Sequence, residues 1–282
     1  IMIGFLSDAG FDVSFLQWLS MGVFYTFFMI LVMSFILPLL FKPEVSDLSQ
    51  AVSILRSDLE KHGKMTMKQW IVIFIMAIVI FMWITDKTII NNIFGFSLGL
   101  GGIAITGAVT YMLLGLTTWK DYEEGISWGV VVLYAGAISL GSVFKSTGAA
   151  GWLASSIISL VEPLGMDSGV PLIILVVLVG ASLTNLMSAG ATVAVIGPVI
   201  IGMAEASGTN PVLIGIALAI STSAAFWLVI GTPASSIVYS SGLLGATDFM
   251  RGATLAWPLA LIVIISMILF YWMPVLGINI SL

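Results

Sequence analysis

Long apolar runs separated by short polar segments dominate the chain. A helix that crosses the hydrocarbon core of a bilayer needs about 20 predominantly apolar residues, and shorter runs suit interfacial helices. The apolar runs therefore predict an all-α integral membrane protein. The runs that predict spanning helices are 18–41, 70–84, 94–118, 126–144 and 253–271, and the run at 148–161 predicts an interfacial helix. Between these runs, residues 86–92 predict a short polar turn and residues 120–124 a charged loop.

Two further apolar segments are interrupted in the middle by small polar residues. Residues 179–200 contain Met187-Ser188-Ala189-Gly190, and residues 220–242 contain Gly231-Thr232-Pro233-Ala234-Ser235. An unpaired backbone group in hydrocarbon costs several kcal/mol, so such breaks survive only where protein or a water-filled cavity lines them. Two breaks in one chain predict a small-solute site at mid-membrane depth, which is typical of a transporter.

The longest polar connection, residues 42–68, carries apolar residues at helical spacing: Val45, Leu48, Val52, Leu55 and Leu59. This spacing predicts an amphipathic surface helix, either an arm between two moving parts or a plain linker. Five of the nine basic residues lie in this connection, so the positive-inside rule places it in the cytoplasm. Alternating the later segments then puts the C-terminus outside the cell.

Composition narrows the possible functions further. The chain is 60% hydrophobic and only 8% charged, whereas soluble domains carry about a quarter charged residues. The absence of cysteine excludes thiolate chemistry, and no nucleophile with a neighbouring base lies in a span, so an enzyme is not expected. The oxygen atoms at the breaks suit a hard cation such as Na⁺, which prefers oxygen ligands. The free N–H groups at the start of the half-helix near Pro233 favour an anion.

The beginning and the end of the chain share a pattern. A short apolar piece at 237–242 precedes a polar turn and a span, and residues 1–6 precede a similar turn and span. We therefore expect 1–41 to be the tail of one repeat and 69–275 to be a second, with the chain beginning inside a larger protein. Chance similarity of two amphipathic turns is the alternative.

Four stretches in order carry a resemblance to a known family: LRSDLEKHGKMTMKQW, WGVVVLYAGAISLGSVFKSTGAAGWL, LTNLMSAGATVAVIGPVIIGMAEASGTNP and AAFWLVIGTPASSIVYSSG. The chain resembles the divalent anion:sodium symporters (DASS), which carry dicarboxylates such as succinate and, in some members, citrate or sulfate. The resemblance covers nearly all residues and corresponds to the C-terminal half to three-fifths of a member.

The resemblance implies an inverted-repeat, elevator-type homodimer in a cell membrane, with no nucleic-acid partner. Residues 1–41 would belong to the transport domain, 42–68 to the cytoplasmic linker and 69–161 to scaffold and dimerisation helices. Residues 162–282 would complete the transport domain. Within it we expect a re-entrant hairpin at 170–206, a broken helix at 211–243 and a last helix at 253–274.

The resemblance also implies the site residues. The Na⁺ ligands would be the Thr184 hydroxyl and the carbonyls of Met187, Ala189 and Gly231. The substrate contacts would be Ser188, Ala189, Gly190, Thr232, Pro233, Ala234 and Ser235. The hairpin tip departs from the family pattern, because Ser-Ala-Gly at 188–190 replaces Ser-Asn-Thr and leaves the Ser188 hydroxyl as the tip's one side-chain donor.

Each of these residues also has a structural interpretation. Thr184 and Ser188 could bond to a carbonyl one turn back, and Gly231 with Pro233 could form a simple kink. For the whole chain, the first hypothesis is Na⁺-coupled symport of a small divalent anion by an elevator movement. The alternatives are a passive channel, facilitator or exchanger that uses the same site, and a structural subunit in which Thr184 and Gly231 lie far apart.

Overall fold

A computed structural model describes residues 1–41 and 49–281 of the chain. In this part the regular structure is helical, apart from one isolated antiparallel bridge between Thr209 and Ser281. The all-α prediction is therefore confirmed. The helices are α1 Met2–Asp8, α2 Phe15–Leu40, α3 Ser49–His62, α4 Met67–Thr85, α5 Asn91–Phe94, α6 Gly99–Leu113, α7 Trp119–Gly125, α8 Trp128–Ser146, α9 Ala149–Val161, α10 Gly169–Leu183, α11 Ala189–Ser207, α12 Pro211–Ser221, α13 Pro233–Ser240 and α14 Ala246–Met267.

Several helices are long and apolar enough to cross a membrane. By length and composition, five described segments qualify: Phe15–Leu40, Met67–Ile93, Trp128–Ser146, Ala189–Ser207 and Ala246–Trp272. Ala149–Leu164 and Gly169–Leu183, which bend by 112° at their junction, would make a sixth if they act as one broken span. The first of these segments, Phe15–Leu40, carries large exposed apolar side chains such as Phe27, Phe35 and Leu39, as expected of a surface that faces lipid. The chain is a multi-pass membrane protein.

The chain divides into two compact units. The larger unit comprises Ile1–Val13, Leu19–Leu40 and Gly129–Leu282, and the smaller unit comprises Ser14–Trp18 and Phe41–Trp128. By packing, α8 and α9 therefore belong with the helices that follow them. The division expected from the family resemblance, with 69–161 as scaffold, is a functional one and stays a prediction.

In the smaller unit, α4 packs against α6 around the buried residues Ile75, Val79 and Ile103. A Cβ at Gly107 would lie only 2.7 Å from Cγ2 of Val79, so glycine permits the close approach of the two helices. Helix α3 occupies part of the predicted amphipathic stretch 42–68, and its Val52, Leu55 and Leu59 are exposed. Val45 and Leu48 lie outside the described residues.

Two polar segments of the smaller unit are helical where the sequence predicted turns. The chain continues from α4 through a π-helical segment, Asp86–Ile90, into α5, so the turn expected at 86–92 is wrong. Asp86 needs no turn to bring its side chain to water, because its buried carboxylate accepts hydrogen bonds from the amides of Leu98 and Gly99, at 2.9 and 3.1 Å. The negative charge stabilises the start of α6, which begins at Gly99 rather than at 94.

The charged segment 120–124 was expected to be a loop, and it lies instead in α7. A reciprocal capping box holds the start of this helix. The Thr118 hydroxyl accepts from the amide of Asp121, and the Asp121 carboxylate accepts from the amide of Thr118. Local capping therefore outweighs the polar composition of this segment.

In the larger unit, α11 is packed closely against α1 and α9 through small residues. A Cβ at Gly197 would lie 2.9 Å from the Phe5 ring, and a Cβ at Gly202 would lie 3.3 Å from Ala154. Helix α12 packs on α1 in the same way, through Gly215 and Met2. These contacts fix α11 and α12, the two helices on which the functional site depends.

The last helix begins earlier than predicted. Helix α14 starts at Ala246 rather than at 253, because the Asp248 carboxylate caps the amide of Gly245 at 2.8 Å. It continues through a π-helical segment, Ile268–Trp272, and the buried Trp272 indole donates to the carbonyl of Met21. The pairs α1–α2 and α13–α14 both consist of a short helix, a turn and a long helix. The internal repeat behind this similarity stays a prediction.

Candidate functional site

The first break lies between α10 and α11. Residues 184–188 are not helical, whereas Ala189 and Gly190, which the sequence placed inside the break, are the first residues of α11. At the other ends of the two helices, the amide of Gly169 donates to the hydroxyl of Thr209 at 3.0 Å. The start of α10 and the end of α11 therefore lie next to each other. Helices α10 and α11 form a hairpin, and the break is its tip.

The second break separates α12 from α13. It runs from Thr222 to Thr232 and includes a short 3₁₀ turn, Val229–Gly231. The sequence centred this break on 231–235, which is wrong, because Pro233, Ala234 and Ser235 already belong to α13. Proline is favoured in the first helical turn, so the Gly-Thr-Pro signal marks the end of the break rather than its middle. A break of this length is more than a kink.

The two breaks are joined by hydrogen bonds. The hydroxyl of Thr184, which is fully buried, donates to the carbonyl of Thr222 at 2.8 Å. The interpretation in which Thr184 bonds to its own helix one turn back is therefore wrong. Because a donating hydroxyl keeps its oxygen lone pairs, Thr184 can still act as a cation ligand.

Asn185 makes the most extensive connection between the breaks. Its Oδ1 accepts from the amide of Trp227 at 2.9 Å, and its Nδ2 lies 2.6 Å from the carbonyl of Ala181 and 3.4 Å from that of Ala224. Asn185 is a polar residue in an apolar segment, but it is not among the residues that were predicted for the site. No signal in the sequence marked Thr222, Ala224 or Trp227, because these residues contribute backbone groups.

Gly231 lies back against the beginning of the second break. A Cβ at this position would be 2.9 Å from Cβ of Ala225 and 3.3 Å from its carbonyl oxygen. Ala225 directly follows Ala224, whose carbonyl contacts Asn185. A continuous set of contacts therefore leads from Thr184 and Asn185 through the second break to Gly231.

Each break ends in a hydroxyl-capped helix. The Ser188 hydroxyl accepts from the amide of Ala191 at 3.3 Å, and the Thr232 hydroxyl accepts from the amide of Ser235 at 3.1 Å. Ser188 thus caps the helix that follows it, and the interpretation in which it bonds one turn back is wrong.

These caps leave particular carbonyls free. The amides of Ala191 and Ser235 are the groups that would reach the carbonyls four residues earlier if the helices continued. Since the caps take those amides, the carbonyls of Met187 and Gly231 accept no hydrogen bond from any residue in 1–41 or 49–281. The predicted ligand carbonyl of Ala189 differs, because Ala189 lies in the first turn of α11 and its carbonyl belongs to the helical ladder.

The same helix starts offer free donors. Within the described residues, the amides of Ala189, Gly190 and Ala234 have no hydrogen-bond acceptor. Ser188 is exposed, and its hydroxyl proton is not used by the cap, which needs only the oxygen lone pair. An anion at the start of α11 or of α13 would meet the positive end of that helix. The side chain of Pro233 lies outside the described part of the structure.

The groups in this region that could bind a cation are neutral. In the described part of the chain, no group of three or more His, Asp or Glu side chains is placed to hold a metal ion. A cation here would be bound by carbonyl and hydroxyl oxygens, which are the hard ligands that Na⁺ accepts. A separate cavity of about 730 Å³ lies beside the second half of α11, near Phe5, Lys145 and Pro198, and none of the predicted site residues lines it.

A multi-pass helical protein with two broken helices, whose breaks are joined by hydrogen bonds and leave carbonyls and amides free, has the architecture of a membrane transporter. The chain belongs to the family described as the sodium:sulfate symporter transmembrane region, whose model matches residues 1–278. It belongs, accordingly, to a family of transporters and not of enzymes.

Curated relatives support the same assignment. The chain is 27% identical over 288 residues to the sodium-dependent dicarboxylate transporter SdcS of Staphylococcus saprophyticus, and the match covers 98% of this chain and 54% of the relative. It is 24% identical over 294 residues to SdcS of Staphylococcus aureus, with the same coverage. A transporter of Haemophilus influenzae is 28% identical over 174 residues, which is 61% of this chain and 36% of the relative. The chain spans about half the length of the SdcS relatives that it matches.

Proposed function

We propose that the protein is a secondary active transporter that couples the movement of Na⁺ to that of a small divalent anion. The substrate class is a dicarboxylate such as succinate, or citrate or sulfate. The observation that carries this proposal is that the two breaks are joined by a hydrogen bond and that each break has both a free carbonyl and a free amide. The printed names of the family and of the SdcS relatives support both Na⁺ and the dicarboxylate.

The Na⁺ ligands that we propose are the Thr184 hydroxyl and the carbonyls of Met187 and Gly231. Ala189 stays a candidate through the second lone pair of its carbonyl oxygen. For the anion we propose four hydrogen-bond donors: the amides of Ala189, Gly190 and Ala234 and the Ser188 hydroxyl. Further substrate contacts that we propose, at the start of α13, are Thr232, Pro233 and Ser235. Each ion lowers the cost of dehydrating the other, which is the physical origin of coupling.

The movement that we propose is an elevator movement of a transport domain relative to a scaffold, in a homodimer. In this proposal α10 and α11 re-enter the membrane from outside, and the connection 42–68 lies in the cytoplasm. The hydrogen bond from Thr184 to the carbonyl of Thr222 and the one that Asn185 accepts from the amide of Trp227 support a rigid transport domain, because hairpin and broken helix must then move together.

Uptake into proteoliposomes tests the proposed function. We expect saturable uptake of labelled succinate or sulfate by the intact protein when a Na⁺ gradient is imposed, and loss of uptake when choline replaces Na⁺. Flux that does not saturate and does not depend on the gradient would identify a passive channel instead. Absence of flux for every divalent anion tested would favour a structural subunit.

Single-cysteine labelling tests the movement, since the 282-residue chain has no cysteine of its own. Leu186 at the hairpin tip is 68% exposed, and Ile93, in the segment that we propose as scaffold, is 69% exposed. We expect the labelling rate of Leu186→Cys by a membrane-impermeant maleimide to change when Na⁺ and succinate are added. Ile93→Cys serves as the control and should label at a constant rate, because the proposed scaffold does not move. An unchanged rate at both positions would contradict the elevator movement.

A further inference from the structure

Tyr134 of α8 lies against the hairpin tip. A Cβ placed on Gly190 would fall on the Tyr134 hydroxyl and would lie 2.5 Å from Cζ and 2.9 Å from Cε1 of the ring. Both ring distances are below 3.0 Å, the limit that real Cβ atoms essentially never cross. Tyr134 and Gly190 are therefore a matched pair, because the ring can occupy this position only if residue 190 has no side chain.

The hydroxyl of Tyr134 is available for a ligand. Its side chain is half-buried, and the hydroxyl has no hydrogen-bond partner in the described ranges 1–41 and 49–281. A polar group withdrawn from water gains free energy when it finds a partner. The hydroxyl lies beside Gly190, whose amide is also free, at the end of the hairpin where Ser188 presents its hydroxyl.

We propose that the Tyr134 hydroxyl donates a hydrogen bond to the transported anion at the hairpin tip. The inference rests on the proposed function and adds a specificity-determining residue to it. Ala189 and Gly190 bring no side-chain donor to the tip, and Tyr134 supplies one from a neighbouring helix. With the Ser188 hydroxyl and the Gly190 amide, it forms three neutral donors for one carboxylate or sulfate group.

Removal of the hydroxyl alone is the first test. Tyr134→Phe keeps the ring over Gly190, so packing and thermal stability should not change. One hydrogen bond to a charged ligand corresponds to about a tenfold effect, so we expect KM for the anion to rise about tenfold, with Na⁺ dependence retained. Tyr111→Phe is the matched control, because the Tyr111 hydroxyl donates to the carbonyl of Val72 in the smaller unit. Its KM should stay at the parent value.

Moving the hydroxyl to the tip is the second test. Two double variants, Tyr134→Ala with Gly190→Ser and Tyr134→Ala with Gly190→Ala, both remove the overlap and differ by one hydroxyl group. We expect the serine version to bind the anion several-fold more tightly than the alanine version. Equal affinities in this pair, together with an unchanged KM in Tyr134→Phe, would overturn the proposal and leave Tyr134 as packing for Gly190.

The outcomes also separate this proposal from the proposed function. Binding of succinate to the purified intact protein, measured by calorimetry with and without Na⁺, reports on the parent protein before any variant is compared. Na⁺-dependent binding by the parent with no loss in Tyr134→Phe would reject only the role of Tyr134. Failure of the parent to bind any of succinate, citrate and sulfate would reject the proposed function and this inference together.

Discussion

The two breaks solve the same physical problem in different ways. The tip of the α10–α11 hairpin is short, and side chains of the tip itself bond its two ends: Ser188 caps the start of α11, and Asn185 donates to the carbonyl of Ala181 in α10. The second break is longer and depends on its neighbour, because Thr184 and Asn185 hold the backbone of Thr222 and Trp227. The conformation of the second break is therefore stabilised by side chains of the hairpin tip as well as by its own hydrogen bonds.

This difference explains which parts of the site could be predicted from the sequence. The end of each break has a local signal, a hydroxyl residue that caps a helix, and in the second break Thr232 is followed by Pro233. The beginning of the second break has none. Thr222 follows a helix of ordinary apolar residues, and its carbonyl, which the amide of residue 226 would reach in a continuing helix, accepts from the hydroxyl of Thr184 instead.

The fold shows the same limit. Apolar run length predicted α2, α4, α8 and α14, since the bilayer fixes the length of a spanning helix. The run at 94–118 contains only the 15-residue helix α6, which is shorter than the predicted span. Polar composition wrongly predicted turns at 86–92 and 120–124, where Asp86 is a buried cap for another helix and Thr118 with Asp121 caps its own. A polar residue in an apolar chain marks a place where backbone groups need partners, and those partners can belong to a helix as well as to a turn.

The largest effect should follow from loss of the link between the breaks. Asn185→Ala would leave the amide of Trp227 without its acceptor in a partly buried position, at a cost of about 1–3 kcal/mol, and would remove the contacts that Asn185 makes with the second break. We expect transport to fall to background and the thermal unfolding temperature to decrease. Asn210→Ala is the control, since Asn210 caps α12 through the amide of Val212 and should cost only about 1 kcal/mol while Na⁺-dependent uptake remains. Normal uptake by Asn185→Ala would show that transport does not need the hydrogen bonds between Asn185 and the second break.

A variant of Thr184, which bonds the first break to the second, tests whether this residue is also a Na⁺ ligand. Thr184→Val keeps the shape and removes the oxygen, so we expect the Na⁺ concentration for half-maximal uptake to rise about tenfold or more, the equivalent of roughly 1.4 kcal/mol. Thr192→Val is a matched control, because Thr192 is equally buried but its hydroxyl donates one turn back to the carbonyl of Ser188. The same Na⁺ dependence in both variants would remove Thr184 from the ligand set.

The helices that lead into the two breaks meet at Gly180 and Ser221. A Cβ at Gly180 would overlap the Ser221 hydroxyl and would lie 2.8 Å from Cδ1 of Leu218. Gly180→Ala should therefore destabilise the protein by about 1–3 kcal/mol through overpacking. Gly22→Ala in α2 is the control: no atom lies within 4 Å of its added Cβ, so a helical alanine should be neutral or stabilising by about 0.5–1 kcal/mol. A difference in unfolding temperature between the two variants is the readout, and equal temperatures would mean that the helices do not meet this closely.

The smallest effect concerns the charged cap of α7, which contrasts with the neutral caps at the breaks. Hydrogen bonds from the amide and the hydroxyl of Thr118 lower the pKa of Asp121 below its ordinary value of 3.8. Because the folded pKa is depressed, the stabilisation is present above the unfolded pKa and is lost as pH falls through the folded value. Amide hydrogen exchange of 119–125 should be faster in Asp121→Asn than in the parent at pH 6, and the difference should disappear below about pH 3. Equal protection of both proteins at pH 6 would show that the carboxylate does not stabilise α7.

The central claim is that the loose ends of two broken helices build one Na⁺ and anion site. An experimental density map of the intact protein in NaCl with succinate tests it most directly. The account predicts ion density in contact with the Thr184 hydroxyl and the carbonyls of Met187 and Gly231, and a carboxylate at the amides of Ala189 and Gly190. A continuous helix through 222–232, or ions bound away from both breaks, would contradict it.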